Sequence, residues 1–155
     1  MKRLAVCLLT ICLVILLTAC GGGKSAEVDI EALAADLVGS DAFAGDMSAA
    51  QVSSGVAAGT YGYSAEDVES AVMYYDTGTA EEIFLAKTTS ADAANSLYEL
   101  CRTRVQNQIA SLQNYIPEAV ARLENAVVEK TGEYVILVVA NDGAAAKSIV
   151  DKHVG

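Results

Sequence analysis

Apolar side chains recur every three or four positions in residues 30–38 and again in residues 94–116, which places them on one face of a helix in each segment. Asp29 and Ser90 stand before these segments and are residue types that cap helix N-termini. The pattern therefore predicts a first helix over 30–38 and a long helix that begins at Ser90 and ends near Tyr115.

Four shorter segments have the composition of β-strands. Residues 68–76 and 82–88 are predicted to form a hairpin around a Thr-Gly-Thr turn, and residues 126–130 and 133–140 a second hairpin around Thr-Gly. The run from Tyr134 to Ala140 lacks polar alternation, which is typical of a central strand buried on both faces.

Short helices complete the pattern. Pro117 can begin one that reaches about Leu123, and Asp142 can cap a last one over 144–153. Residues 40–63 are rich in Ala, Gly and Ser, and we predict a loop with one short helical piece. After the N-terminal helix the order is β-β-α-β-β-α. This order predicts a two-layer α+β fold, in which helices pack on a four-stranded, largely antiparallel sheet.

The N-terminal segment has the composition of a secretory signal peptide. Lys2 and Arg3 precede an uncharged, mostly apolar stretch from Leu4 to Leu17. As a helix this stretch would span about 21 Å, against roughly 30 Å for the hydrocarbon core of a bilayer, so export is favoured over a permanent span. Leu17-Thr18-Ala19-Cys20 then matches the lipobox of bacterial lipoproteins, in which the Cys thiol accepts diacylglycerol and the chain is cut on its amino side.

We therefore predict a signal peptide over residues 1–19, lipid attachment at Cys20, a flexible Gly-rich tether over 20–27 and a single domain over 28–155. The predicted location is the outer face of the cytoplasmic membrane. The alternatives are an ordinary signal peptide followed by a chance Cys, and an uncleaved anchor.

The chain is acidic, with 20 Asp and Glu against 10 Lys and Arg and a formal net charge of −10. Removal of Lys2 and Arg3 with the signal peptide leaves 8 basic residues and a net charge of −12. Such a domain is repelled by nucleic acid and by anionic headgroups, so the membrane would be contacted through the lipid alone. The expected further partner is an unidentified protein or envelope component.

The mature chain offers no complete catalytic or metal site. Cys101 lies on the apolar stripe of the long helix, where a buried core thiol is favoured over a redox or nucleophilic one. His153 lies near the C-terminus, where a solvated side chain is favoured over a catalytic one. With one His and one free Cys, no zinc site of normal ligand count can form, and neither a metal nor a cofactor is predicted.

Acidic clusters and tyrosines are the remaining candidates. Glu66-Asp67-Glu69 and Glu81-Glu82 lack the spacing of a calcium loop and are predicted to be solvated, although a carboxylate pair for glycoside hydrolysis stays open. Tyrosines can form contact surfaces for glycans or peptides, or can pack on a sheet. Four of them lie near the first hairpin and form a candidate binding patch, the tyrosine patch: Tyr61, Tyr63, Tyr74 and Tyr75.

Several short motifs in a fixed order resemble a known family. They are Tyr61-Gly62, Glu66-Asp67-Val68-Glu69, Ala80-Glu81-Glu82-Ile83, Arg104, Gln108, Tyr115-Ile116-Pro117-Glu118, Ala126-Val127-Val128 and Gly132-Glu133-Tyr134-Val135. Over roughly residues 30–152 the chain is similar to bacterial lipoproteins that carry the domain of unknown function numbered 4358. The resemblance implies a membrane-anchored extracytoplasmic protein, commonly of Gram-positive anaerobes, and it implies no catalytic residues.

From these observations we expect a membrane-anchored, non-enzymatic binding or interaction module. The alternative is a cell-envelope enzyme that acts on wall material through carboxylate or Tyr residues. A two-lobed solute receptor is disfavoured, because the 136 residues after the signal peptide suit one domain rather than two.

Replacement of the lipobox cysteine tests the anchor. We expect Cys20→Ala to abolish metabolic labelling by fatty acid and to release the protein from the membrane fraction, because no other residue in the lipobox can accept diacylglycerol. Labelling that is unchanged in this variant would refute the assignment.

Overall fold

The computed structural model describes residues 27–155, and the predicted signal peptide, the lipid site Cys20 and all but the last residue of the predicted tether lie outside this range. The elements in chain order are α1 (Ile30–Val38), a 3-10 helix (Met47–Ala50), β1 (Gln51–Val52), α2 (Ser54–Tyr61), β2 (Val68–Tyr75), β3 (Glu82–Thr88), α3 (Ala91–Leu112), α4 (Pro117–Glu124), β4 (Val127–Thr131), β5 (Tyr134–Val139) and α5 (Gly143–Val154).

Side-chain caps set the starts of the helices that the sequence predicted best. Asp29, Ser90 and Asp142 each accept a hydrogen bond from the backbone N–H three residues further along, at 3.0, 3.1 and 2.9 Å. Each bond satisfies one of the N–H groups that a helix leaves free in its first turn. Pro117 begins α4, where its missing N–H costs nothing.

The region predicted as a loop, residues 40–63, contains more structure than its composition indicated. Beyond the expected helical piece it holds a 3-10 helix that buries Met47, the two-residue strand β1 and the helix α2. The sequence shows no clear period here because α2 buries only Ala57 and Tyr61, and its other residues are small or polar apart from the exposed Val56.

The sheet is antiparallel throughout, with the strand order β1-β2-β3-β5-β4. The α+β class is confirmed, but the sheet has five strands rather than four. The additional strand is β1, which pairs only with Met73 and Tyr74 of β2. A two-residue edge strand is too short to give an alternating sequence pattern, so it was not predicted.

Helices cover both faces of the sheet, which makes three layers where two were predicted. In β3, Ile83 and Leu85 face the layer of α1 and α5, whereas Phe84 and Ala86 face the layer of α2, α3 and α4. Every residue of β5 is buried, as the absence of polar alternation indicated. A strand that is apolar on both sides needs a helical layer on each, and the two-layer prediction overlooked this requirement.

Within residues 27–155, no helix is both long and apolar enough to cross a membrane.

The start of α5 depends on a glycine. A Cβ atom at Gly143 would lie 2.8 Å from the backbone oxygen of Asn125, which is closer than the atoms can approach without a shift of the backbone. We expect Gly143→Ala to lower the free energy of unfolding by about 1–3 kcal/mol, as overpacking of a close contact does.

Gly59, an exposed residue in α2 with open space around its Cα, is the matched control for this substitution. Gly59→Ala should instead stabilise the protein by about 0.5–1 kcal/mol, because Ala is the better helix former. Urea denaturation of the full chain measures both values, and equal effects of the two substitutions would contradict the close contact.

Candidate functional site

Two consecutive carboxylates at the start of β3 are fully buried and point to opposite faces of the sheet. Glu81 and Glu82 have no exposed surface, so the prediction that this pair is solvated was wrong. Successive side chains in a strand alternate between faces, and β3 lies in the middle of the sheet with a layer on each side. Each carboxylate therefore needs internal partners, because an unpaired buried charge is strongly unfavourable.

Glu81 joins three connecting segments. Its Oε1 accepts hydrogen bonds from the backbone N–H of Ala44 at 2.8 Å and of Asn141 at 3.0 Å, and its Oε2 accepts one from Thr79 Oγ1 at 3.3 Å. Ala80, directly before it, has a φ of +61°, a conformation that is strained for Ala. Glu81 is thus a structural residue that holds the β2–β3 turn in place.

Glu82 joins three elements on the other face. Tyr61, the last residue of α2, donates its hydroxyl to Glu82 Oε1 at 2.6 Å. Arg104 of α3 donates its Nε–H to both carboxylate oxygens, at 2.9 and 3.0 Å. The ion pair fixes α3 to the central strand, and the hydrogen bond from Tyr61 fixes α2.

The guanidinium of Arg104 is held in a defined position and still reaches the surface. Its central carbon lies 5.2 Å from the ring centroids of both Tyr61 and Tyr75, which are cation–π distances. The side chain keeps 16% of its surface exposed. Its two terminal nitrogens donate no hydrogen bond to any residue in 27–155, so the cluster leaves these donors available.

Burial and charge set the protonation of the cluster. Burial raises the pKa of Glu82, although the hydrogen bonds and charge of Arg104 partly offset that rise. Burial, and then the charge of Glu82, raise the pKa of the Tyr61 hydroxyl well above its usual value. For Arg104, burial alone would lower the pKa, but the hydrogen bond and charge of Glu82 outweigh it, and the pKa is raised. At neutral pH, Tyr61 is therefore a neutral donor and Arg104 a cation.

The tyrosine patch is divided between the two faces of the sheet. Tyr61 stacks on Phe84 with ring centroids 3.9 Å apart, and Tyr63 lies 6.1 Å from the same ring. Tyr75 is on this face as well, beside Arg104, whereas Tyr74 packs against the core under α1 and α5. The structure thus brings three of the four tyrosines together and excludes Tyr74. Tyr61 is buried, and Tyr63 and Tyr75 are half-buried. Ligand binding by them stays a prediction.

Comparison with known families assigns the chain. The family model described as Domain of unknown function (DUF4358) matches residues 46–140, which is more than half of the sequence. The chain belongs to the DUF4358 family. No curated protein and no solved structure matched it. The matched range contains Tyr61, Tyr75, Glu82 and Arg104, and leaves out α1 and α5.

The other candidate residues of this DUF4358 protein do not join the cluster as reactive groups. Cys101 is a free, fully buried core residue, as predicted, and burial raises the pKa of its thiol. His153 is half-buried rather than fully solvated, because its Nε2 lies 2.9 Å from Asp36 Oδ2 of α1 and 19% of its side-chain surface is exposed. Among the described residues, no group of three or more His, Cys, Asp or Glu could hold a metal ion.

Sequence reasoning overlooked the Glu82–Arg104 pair of the DUF4358 fold. The two residues are 22 positions apart, in a strand and in the following helix, so no local spacing connects them. The one available signal was a carboxylate directly before the apolar run of residues 83–86. A charged residue there needs a partner if the strand is central.

A double-mutant cycle tests the buried pair. Arg104→Met leaves the buried Glu82 charge unpaired and should lower the free energy of unfolding by about 3–5 kcal/mol. Glu82→Gln should cost less, because Arg104 remains partly exposed. The double variant should recover about 1–3 kcal/mol relative to the sum of the single changes.

The exposed pair Glu99–Arg102, on the same helix and 3.5 Å apart, is the control for this cycle. Its coupling energy in the same urea measurement should be below about 1 kcal/mol, because both partners are largely in water. Equal coupling in the two cycles would show that Glu82 and Arg104 are not paired as described.

Alkaline titration tests the environment of Tyr61. Its raised pKa in the folded state contributes stability that is fully present below about pH 10 and is lost as the pH rises above that value, because the unfolded tyrosine then ionises first. In Tyr61→Phe, the fall of unfolding free energy above pH 10 should therefore be shallower than in the unsubstituted protein. Tyr115→Phe, at a side chain that is 83% exposed, should leave the curve unchanged. Identical curves for both variants would contradict burial of the Tyr61 hydroxyl.

Proposed function

We propose that this DUF4358 protein is a lipoprotein held at the outer face of the bacterial cytoplasmic membrane through lipid on Cys20, and that its folded body is a non-enzymatic binding module. The lipobox and the short apolar export segment support the anchor. The observation that carries the binding role is the Arg104 guanidinium, fixed by Glu82 and two aromatic rings, with its terminal nitrogens free to donate. A donor that is already held in place loses little entropy when it binds.

Accessibility favours binding over catalysis. The two oxygens of Glu82 are occupied by Arg104 and Tyr61, and the carboxylate has no exposed surface that a substrate could touch. Tyr61 is also buried, with its hydroxyl bonded to Glu82. The outward terminal nitrogens of Arg104 can contact a ligand, but a guanidinium at neutral pH neither accepts nor releases a proton.

The chemistry of the surface indicates a polar ligand without a large negative charge. Glu82 neutralises Arg104, and the acidic body as a whole repels anions. A carbonyl or hydroxyl oxygen can accept from Arg104, while an apolar part of the same ligand packs on the half-buried ring of Tyr75 or Tyr63. One turn further along α3, Gln108 Oε1 is buried and accepts no hydrogen bond from residues 27–155. This region therefore holds a hydrogen-bond acceptor that no described residue satisfies.

A second candidate is the envelope enzyme that the sequence left open. The raised pKa of Glu82 and its 2.6 Å contact with Tyr61 are features that functional sites often show. This alternative requires an opening that exposes Glu82, so we place it second.

Site-specific photo-crosslinking in the native host tests the proposal. A photoreactive phenylalanine analogue placed at Tyr75 of the full chain should give a discrete adduct, whereas the same group at the exposed Tyr115 should not. The Tyr75 adduct should disappear in Arg104→Lys, which keeps the charge but loses the forked donors, and should persist in Arg102→Lys on the same helix. Absence of an adduct at Tyr75, or the same adducts from both positions, would reject a binding surface there.

A further inference from the structure

The strand β4 is one of the two outer strands of the sheet. On its inner side all five residues, Val127–Thr131, are paired with β5. On its outer side they pair with no strand within residues 27–155. An outer strand of this kind presents a row of free backbone N–H and C=O groups about 17 Å long, which is a template for another strand.

The charged side chains of β4 do not protect this edge. Glu129 is directed to one face of the sheet, where it pairs with Lys147 of α5 at 3.0 Å. Lys130 is directed to the other face and donates to Asn95 of α3 at 2.6 Å. Both side chains are held over the helical layers, so the backbone between them stays open.

The opposite edge of the sheet is less suited to an added strand. There, β1 already pairs with Met73 and Tyr74 of β2, and at the other end of β2 the ladder with β3 has a register shift between Val68 and Ser70. Bulges of this kind are a common means of preventing pairing at an edge.

A groove of about 380 Å³ lies beside β4, between α3 and α4. Its rim carries Arg102, Gln106 and Glu124, and Tyr98 forms one wall. The remaining lining is apolar and comes from both helices and from the start of β4: Val105, Ile109, Leu123, Ala126 and Val128. In a strand added to β4, every second side chain would face this groove, since side chains alternate between faces.

Charge specifies the partner further. Residues 27–155 contain 20 acidic and 7 basic residues, a net charge of −13. Glu124 precedes β4 and Glu133 follows it, and neither has an ion-pair partner within residues 27–155. A basic residue at each end of an added strand would meet one of these carboxylates.

A second copy of the chain fits this edge poorly. In antiparallel pairing of β4 with itself, opposite residues share a face, so the registers centred on Glu129 or on Lys130 place like charges against each other. Two bodies of the same large negative charge also repel each other.

We propose that β4 and the α3–α4 groove bind an extended peptide, which adds to the sheet as a sixth strand. The peptide places an apolar side chain in the groove and carries Lys or Arg at both ends, near Glu124 and Glu133. This surface shares α3 with Arg104 but is lined by other residues, and the proposal does not depend on ligand binding at Tyr75 and Arg104.

The test uses a fluorescein-labelled, end-capped probe of sequence Lys-Thr-Val-Thr-Val-Thr-Lys, in which Lys and Val share one face, and the full mature chain in detergent micelles, with fluorescence anisotropy as the readout. Two control peptides carry backbone N-methyl groups on alternate residues, the first at the odd positions and the second at the even positions. A strand pairs through only one of its two edges, so one control should lose binding and the other should retain it.

Charge reversal and hydrogen exchange locate the probe. Glu124→Lys/Glu133→Lys should raise its Kd about tenfold and improve binding of the same peptide with Glu at both ends. Glu31→Lys/Glu66→Lys, with the same change in net charge at distant exposed sites, should have a much smaller effect.

Ala126→Leu should weaken binding by filling the groove. Bound probe should slow amide exchange in residues 127–131 and not in β1.

The proposal is overturned if the probe does not bind at millimolar concentration, if both N-methylated controls bind like the parent, or if protection maps to the β1–β2 edge. It is also overturned if sedimentation shows a dimer through β4 that the probe cannot dissociate, since the occupant would then be a second copy.

Discussion

A carboxylate sealed inside an apolar layer must be paired, and in this fold the pairing of Glu82 determines how the layers meet. Arg104 and Tyr61 provide the partners from two different helices, so the same bonds that compensate the buried charge also fix α2 and α3 on the central strand. Breaking a buried pair from one side leaves an uncompensated charge, which is costly. The pair thereby links the packing of the helices on the sheet to the position in which the Arg104 guanidinium is held.

The neighbouring residue performs the corresponding task on the other face. Glu81 accepts bonds from the loop after α1, from the β2–β3 turn and from the segment before α5. The two carboxylates are one position apart, so the alternation of the strand sends them to opposite layers. Glu81 accepts hydrogen bonds from backbone amides and has a structural role only. Glu82 receives a cation whose remaining donors reach the surface, and this difference is why we place the site on its face.

Local patterns predicted much of the fold, because caps and apolar periodicity act over a few residues. The bounds of α1 and β3 agree with the sequence prediction, and Ser90 caps α3 as expected. The strand β1, the second helical layer and the burial of Glu81 and Glu82 depend on contacts distant in sequence, which periodicity does not encode. Tyr61, Tyr63 and Tyr75 lie on one face of the sheet, whereas Tyr74, next to Tyr75 in sequence, lies on the opposite face because side chains alternate along β2.

The DUF4358 match covers the sheet and the helices that hold Arg104, so the cluster belongs to the part of the chain that defines the family. Within this cluster, Glu82 fixes Arg104 through its Nε–H and presents it as a rigid donor. Nitrogen–proton NMR of the arginine side chains, assigned with Arg104→Lys, measures this bond directly. We expect an Arg104 Nε–H signal that exchanges with water far more slowly than that of the exposed Arg102. Equal exchange rates at the two arginines would contradict it.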